Sequence, residues 1–570
     1  MKRLRPALLL SCLLALPSWA GEARFTSVRY SGVDGEPVPA DSYRNPIIAG
    51  FYPDPSVIRV GDDFYLTTST FGYFPGLPIF HSRDLVNWEQ IGNAIDRPDQ
   101  MPYGPREEIS RGLFAATLAH HQDTFYITNT CFYCPGHGIG NFVITAHDPA
   151  GPWSDPVWLP FDGIDPSLFF DIDGTAWMVH NGMPDGEPRY EGHRAIWLQR
   201  FDTATRSMVG ERYQLVDSGV HPDTNPEHVE GPHIFRRGDW YYLIAAEGGT
   251  GEQHAQMVWR SRTVTGPYEA WMGNPTLTQR DLDPSRPDPI TSTGHAQFVE
   301  LQDGSWWTVF LATRPYRGNQ YNLGRETFLL PLEWQDDWPV VLPRGAHVPA
   351  ITQRPTLPAA PVSKPTTGSF AWEERFTAAR LPMQWLSIHS PRSPWYQTGT
   401  DGLRILAAET ALGAHATQDG QPSYLSHRLQ HHNAVMETTL DPSKLDVGDL
   451  AGLALVQNEG YHLVAAVDRR DAEHAELVLL LRAGKDDPLL GRELARQSLP
   501  SLDENVQFRI RLNAPRLDVD YALGNDPWQS LGQDIDASQL SVDTASGFIG
   551  NTFGPYALHR APQQPNSVGQ

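Results

Sequence analysis

"FYPDPSVIRVGDDFYLTTST" (residues 51–70) and "GIDPSLFFDIDGTAWMVHNG" (163–182) follow one plan. Each has an Asp-Pro-Ser turn, a short apolar run, a turn built on Gly and Asp, and an aromatic strand. The second half of the plan recurs in "HQDTFYITNT" (121–130), "RGDWYYLIAAEG" (237–248) and "QDGSWWTVFLAT" (302–313). Every copy is a polar turn, an aromatic pair (Ala176-Trp177 in the third) and then alternating apolar residues, the period of a half-buried strand. An apolar strand precedes each copy ("PSVIRV", "LFAATLAH", "PSLFFD", "GPHIFRR", "HAQFVEL"), and a further strand and turn follow. A four-stranded unit repeated five times in about 300 residues is the pattern of a five-bladed β-propeller. A meandering β-sandwich is the rival, but it has no reason to repeat its turn chemistry.

The rest of the chain is also all-β. "AHVPAITQRPTLPAAPVSKPTTGS" (346–369) is rich in Pro, Thr and Ala and reads as an extended linker. From 370 to 562, runs such as "AGLALVQ", "AELVLLLRA" and "VQFRIRLN" recur at the spacing of a β-sandwich, here expected to be jelly-roll-like. The propeller is expected over 40–345.

At the start, Lys2, Arg3 and Arg5 precede an apolar stretch from Ala7 to Leu16, and Ser18-Trp19-Ala20 offers a cleavage site. Residues 1–20 therefore read as an export signal, which directs the protein to the periplasm or outside the cell. The stretch is too short for a transmembrane helix. Cys12 raises lipidation, but the apolar run continues past it. Cys131 and Cys134 in "TCFYCPGHG" are read as a local disulfide, because no zinc-ligand spacing accompanies them. The 67 Asp and Glu outnumber 44 Lys and Arg, for a net charge of -23. Such a surface repels phosphate backbones and anionic lipid, so nucleic-acid and membrane partners are excluded.

Propeller geometry gives the repeated Asp a meaning. The first strand of each blade lines the central channel, and equivalent positions converge near one mouth. The polar residue entering that strand is Asp54 in blade I, Asp165 in blade III, Glu230 in blade IV and His295 in blade V. Blade II carries Phe114 instead. Asp before Pro is a common turn former, and Asp171 and Asp173 in "FFDIDGT" are read as turn residues only. Glu230 resists that reading, because Glu is a poor turn former. Three carboxylates at one mouth repel each other unless shifted pKa values are in use. Glycosidic cleavage needs such a set: one carboxylic acid protonates the leaving oxygen and one carboxylate activates water. Blades on opposite sides of a channel leave room for that water, which favours inversion.

The motifs "YPDPS", "IDPSLFF", "EGPHIF", "AAEGGTG", "GHAQFVE" and "LGRETF" over roughly 45–345 resemble glycoside hydrolase family 43, exo-acting inverting β-xylosidases and α-L-arabinofuranosidases. The sandwich resembles the accessory domain of the same group. The resemblance implies Asp54 as general base, Glu230 as general acid and Asp165 as the residue tuning that acid. It also implies Phe71, Phe114, Thr250, His295 and Arg325 in the sugar pocket. Phe114 stands where Trp or Tyr is common, and Ala116 where Pro is.

A buried Arg325 in an acidic channel would favour the ionised form of a neighbouring carboxylate. No cofactor is required; a calcium near His295 is left open, although a protein cage would want more oxygens than are visible. "HRLQHH" (427–432) and "AHH" (119–121) read as solvated strand faces rather than metal patches. The expected function is an exo-glycosidase releasing terminal pentose from xylo- or arabino-oligosaccharides, with β-xylosidase ahead of α-L-arabinofuranosidase. A non-catalytic carbohydrate-binding propeller is the rival from another class. The sandwich is either a carbohydrate-binding module or a cap that narrows the pocket with a loop such as "IGNTFGPY" (549–556).

Overall fold

The computed structural model describes residues 21–560 apart from Glu36, Pro105 and Pro135, so the expected export signal lies outside the described residues. Each of the five repeats folds into a four-stranded antiparallel blade, with one short extra strand on blade IV. The first strands, Ser56–Val60, Gly112–His121, Ser167–Phe170, Glu230–Arg237 and Thr291–Glu300, pack on one another around the channel. The aromatic segments supply the second strands, Asp63–Thr67, Thr124–Cys134, Ala176–Gly182, Trp240–Glu247 and Trp306–Thr313.

The aromatic pair has a structural reason. Adjacent residues on a strand point to opposite faces of the sheet, so each pair fills the wedge-shaped gaps on both sides of its blade. Phe64 packs toward blade V and Tyr65 toward blade II. Phe125 faces blade I and Tyr126 faces blade III. Tyr241 and Tyr242, then Trp306 and Trp307, divide in the same way. Five interblade cores result, and the ring closes where Val57, Phe64 and Phe80 meet Val299, Trp307 and Val309. At that seam the Gln297 Oε1 accepts from the Ser56 hydroxyl at 2.6 Å and the Val57 N–H at 2.8 Å. The Asn45 side chain bonds both backbone groups of Leu329 at 2.9 Å and anchors the incoming chain on blade V.

The segment 346–369, expected as a linker, lies bound along the propeller. Its Ile351–Gln353 pairs with Ser42–Arg44, the Ala49 N–H donates to the Thr366 carbonyl, and the Ala360 N–H donates to Asp84.

Two eight-stranded sheets make the sandwich, and strands from outside 370–562 complete both. Glu22–Val33 runs through the middle of one sheet, paired with Gly402–Leu406 and Asn433–Asp441. Tyr73–Phe74, an excursion from blade I, forms the edge of the other beside Leu386–Ile388. Asp449–Asn458 in that second sheet is buried at every position. Ala451, Leu453 and Leu455 enter the sandwich core, while Leu450, Ala454 and Val456 face Phe51, Phe71 and Tyr73 of the propeller. A strand covered on both faces has no polar side to show, which accounts for its continuous apolar sequence.

The histidine-rich stretches are not solvated. His427 and His431 are buried, the latter between the Tyr30 hydroxyl and the Gly368 carbonyl, both at 2.7 Å. His121 lies half-buried against Phe170, the ring planes 3° apart. These faces cover other strands, and packing excluded the water that the sequence pattern alone led us to expect.

Candidate active site

Asp54 and Asp165 share a backbone conformation, φ 55° at both, and each precedes a proline. Left-handed φ suits the short polar side chain of Asp better than a bulky one, yet residues before proline prefer extended backbone. Both positions are therefore held against local preference, as functional turns often are. The other channel residues are aimed by breaks in strand register. Phe114 sits in the irregularity between Leu113 and Ala116, Glu230 opens that between Glu230 and His233, and His295 lies between Gly294 and Gln297. An extra residue at a bulge re-aims a side chain. Gly231 is obligatory here: a Cβ on it would lie 2.8 Å from the His295 ring.

Asp54 is 4% exposed and fully engaged. Arg325 donates to its Oδ1 at 2.7 Å and its Oδ2 at 3.3 Å, and the Ser69 hydroxyl donates to Oδ2 at 2.5 Å. Such a fork fixes the carboxylate plane as well as its position.

Glu230 and Asp165 are prepared differently. Burial, and then the charge of Asp54, push the Glu230 carboxyl up to about 7. Burial first, then Glu230 and Asp54, push Asp165 well above the usual carboxylate range. Two interacting acids titrate as a pair, and this pair keeps a proton into the neutral range. The Gly231 N–H donates to Asp165 at 3.0 Å, a pull toward the ionised form that burial and the neighbouring carboxyls outweigh. The Asp165 backbone N–H is itself tied to the Thr130 hydroxyl at 3.0 Å.

Aromatic rings wall one side. Phe71 meets Phe114 edge-on with centroids 5.0 Å apart, and Phe548 of the sandwich packs on both at 5.6 Å. The Arg325 guanidinium lies 5.7 Å from the Phe71 ring and 5.8 Å from that of Phe548. The sandwich also touches the turn that carries Arg325, because Gly324 and Gly550 meet backbone to backbone with no room for a Cβ on either. Thr250 lies on the turn after Trp240–Glu247, a turn tied back by the Gly248 N–H to the Glu227 carbonyl at 2.8 Å.

Sequence reasoning missed Ser69, Thr130 and Phe548. Ser69 and Thr130 carried no signal, lying in ordinary strand sequence, whereas Phe548 directly precedes the loop singled out as a cap. Cys131 and Cys134 form a disulfide. Among the described residues no three His, Cys, Asp or Glu side chains are grouped to hold a metal ion. Near His295, Asp54 is engaged by Arg325 and Ser69, and the His254 Nδ1 is bonded to the Ser292 carbonyl. That donor set does not fit the many-oxygen shell of calcium, and no step below uses a metal.

Residues 43–339 match the family model described as glycosyl hydrolases family 43, and 373–568 match the beta xylosidase C-terminal concanavalin A-like domain. The chain belongs to glycoside hydrolase family 43. It is 36% identical to a xylosidase/arabinosidase of Butyrivibrio fibrisolvens, over 92% of this chain and 97% of that one. It is 35% identical to a non-reducing end alpha-L-arabinofuranosidase of Bacteroides ovatus, covering 90% and 91%. Among solved structures, a family 43 enzyme from a capybara gut metagenome superposes with a TM-score of 0.86 at 33% identity, covering 94% and 99%. A xylan beta-1,4-xylosidase of Bacillus halodurans gives 0.80 at 30%, covering 91% and 97%. As a family 43 member the protein is a glycoside hydrolase, and the non-catalytic binding propeller falls away.

Proposed function

We propose that this family 43 hydrolase is exported, acts from the chain end with inversion, and removes terminal pentose from xylo-oligosaccharides as a β-xylosidase. The observation that carries the reading is the contrast between the two carboxyls on non-adjacent blades. Asp54 is pinned as a carboxylate acceptor by Arg325 and Ser69, whereas Glu230 is pushed up to about 7. In the reaction Asp54 takes a proton from water as that water attacks the anomeric carbon. Glu230 delivers its proton to the departing glycosidic oxygen and is left as the carboxylate, with Asp165 beside it. The aromatic wall of Phe71, Phe114 and Phe548 closes one end of the site, which suits a terminal sugar. The relatives named for xylosidase activity support the substrate class.

A second reading, α-L-arabinofuranosidase, is favoured by the name of the Bacteroides relative. Aryl β-D-xyloside and aryl α-L-arabinofuranoside, each with Asp54→Ala and Glu230→Ala controls, separate the two. Release from the xyloside that collapses in both variants supports the first reading, and release from the arabinoside alone supports the second. Proton NMR of the first-formed anomer tests inversion, and a retained anomer would overturn it.

A further inference from the structure

We infer that the tip of the second hairpin of blade II, Phe132 and Tyr133, forms a stacking platform for the downstream sugar units of the oligosaccharide. The inference rests on the reading of this protein as a pentose-releasing glycosidase. Four rings lead outward from the site. Phe71, 1% exposed, meets Phe114; Phe114 stacks on Phe132 with centroids 4.1 Å apart; and Phe132 meets Tyr133 edge-on at 6.2 Å. Phe114 and Phe132 are half-buried, and Tyr133 is 48% exposed.

Tyr133 is held there against its own preferences. Its φ is 60°, a conformation that a bulky side chain enters only when the surroundings impose it. Cys131 and Cys134, both buried, are bonded across it. A fold that keeps a large ring in solvent on a strained, cross-linked hairpin points to a surface the ring serves.

The ring borders a cavity of about 590 Å³ between propeller and sandwich, lined also by Arg111, Tyr461, Arg482 and Gly547. Gly547, which lines the cavity, directly precedes Phe548 of the aromatic wall. Its arginines are engaged within the protein: Arg106 with Asp419 at 2.7 Å, Arg111 with Glu108 at 3.7 Å, and Arg482 with the carbonyls of Gly413 and Glu459. A cavity bordered by an aromatic ring and many polar groups, its arginines engaged within the protein, suits a neutral, hydroxyl-rich chain.

The test compares Tyr133→Ala and Tyr133→Phe with wild type on an aryl β-xyloside, xylobiose and xylotetraose. Tyr133→Ala is expected to lower kcat/KM on xylotetraose about tenfold, the loss of one stacking anchor. The aryl xyloside should be unchanged, and Tyr133→Phe should retain the activity. A loss on all three substrates alike, or on none, overturns the platform. A wild type inert on every pentose substrate sinks the glycosidase reading and this inference with it.

Discussion

Arg325 donates to both carboxylate oxygens of Asp54, at 2.7 and 3.3 Å, across the seam where the fifth blade meets the first. The two residues lie 271 positions apart and are each at most 6% exposed. The base therefore exists only when the ring is closed, and the sandwich guards that closure by holding Gly324 against Gly550.

Replacing Arg325 tests the fork. Arg325→Ala leaves a buried carboxylate without its partner, a loss of about 3–5 kcal/mol that thermal unfolding would register. Arg325→Lys keeps the charge but loses the planar grip. It should fold, with kcat/KM down about 100-fold from misplacement of Asp54. A Lys variant as active as wild type would refute the positioning argument.

Glu230→Gln removes the proton donor. On xylobiose, whose leaving group needs protonation, the rate should fall by about 10²–10⁴-fold. On an aryl xyloside with an acidic phenol as leaving group, the loss should be much smaller. Equal losses on the two substrates would assign Glu230 another role.

The pH profile follows from the sign of the shift. An acid catalyst works protonated, so activity is lost as pH rises through its folded-state value. For Glu230 that value is raised to about 7, and the alkaline limb of kcat/KM should fall there rather than near the ordinary carboxyl value. After burial, the charge of Asp54 is what holds the proton on Glu230, so in Asp54→Asn the Glu230 carboxyl should titrate at lower pH, read by carboxyl NMR. An unchanged titration would separate Asp54 from the acid.

Removing the sandwich should abolish folding rather than trim specificity. A chain ending at residue 345 leaves Glu22–Val33 unpaired and exposes Phe51, Phe71 and Tyr73, which the sandwich covers. Soluble, cooperatively unfolding protein from such a truncation would show that the propeller stands alone. In the full chain, Phe548→Ala should fold and raise KM on short substrates, because it opens the wall at Phe71 and Phe114.

Much of the site was legible because it is repeated. Asp54 and Asp165 stand at the same place in the same local unit, and both adopt φ 55°. Glu230 and His295 were legible as the polar residues entering the first strands of their blades, which the repeated strand pattern locates. Thr250 rested on family resemblance alone, and it sits on the turn after Trp240–Glu247. The histidines at 427–432 were misread because alternation distinguishes two faces of a strand without saying what covers each.

Local pattern was enough for five blades, their strand order and the carboxylates at the channel mouth, since turn chemistry and the two-residue period act over a few neighbouring residues. The grip of Arg325 on Asp54, the crossing of Phe548 from the sandwich and the pairing of Glu22–Val33 with Asn433–Asp441 come only from the assembled chain. The continuous apolar run at 450–456 fits a strand buried on both faces, but it does not name the partner. Hydrophobic burial has no direction of its own, so the partner is chosen by the shape of the whole assembled chain.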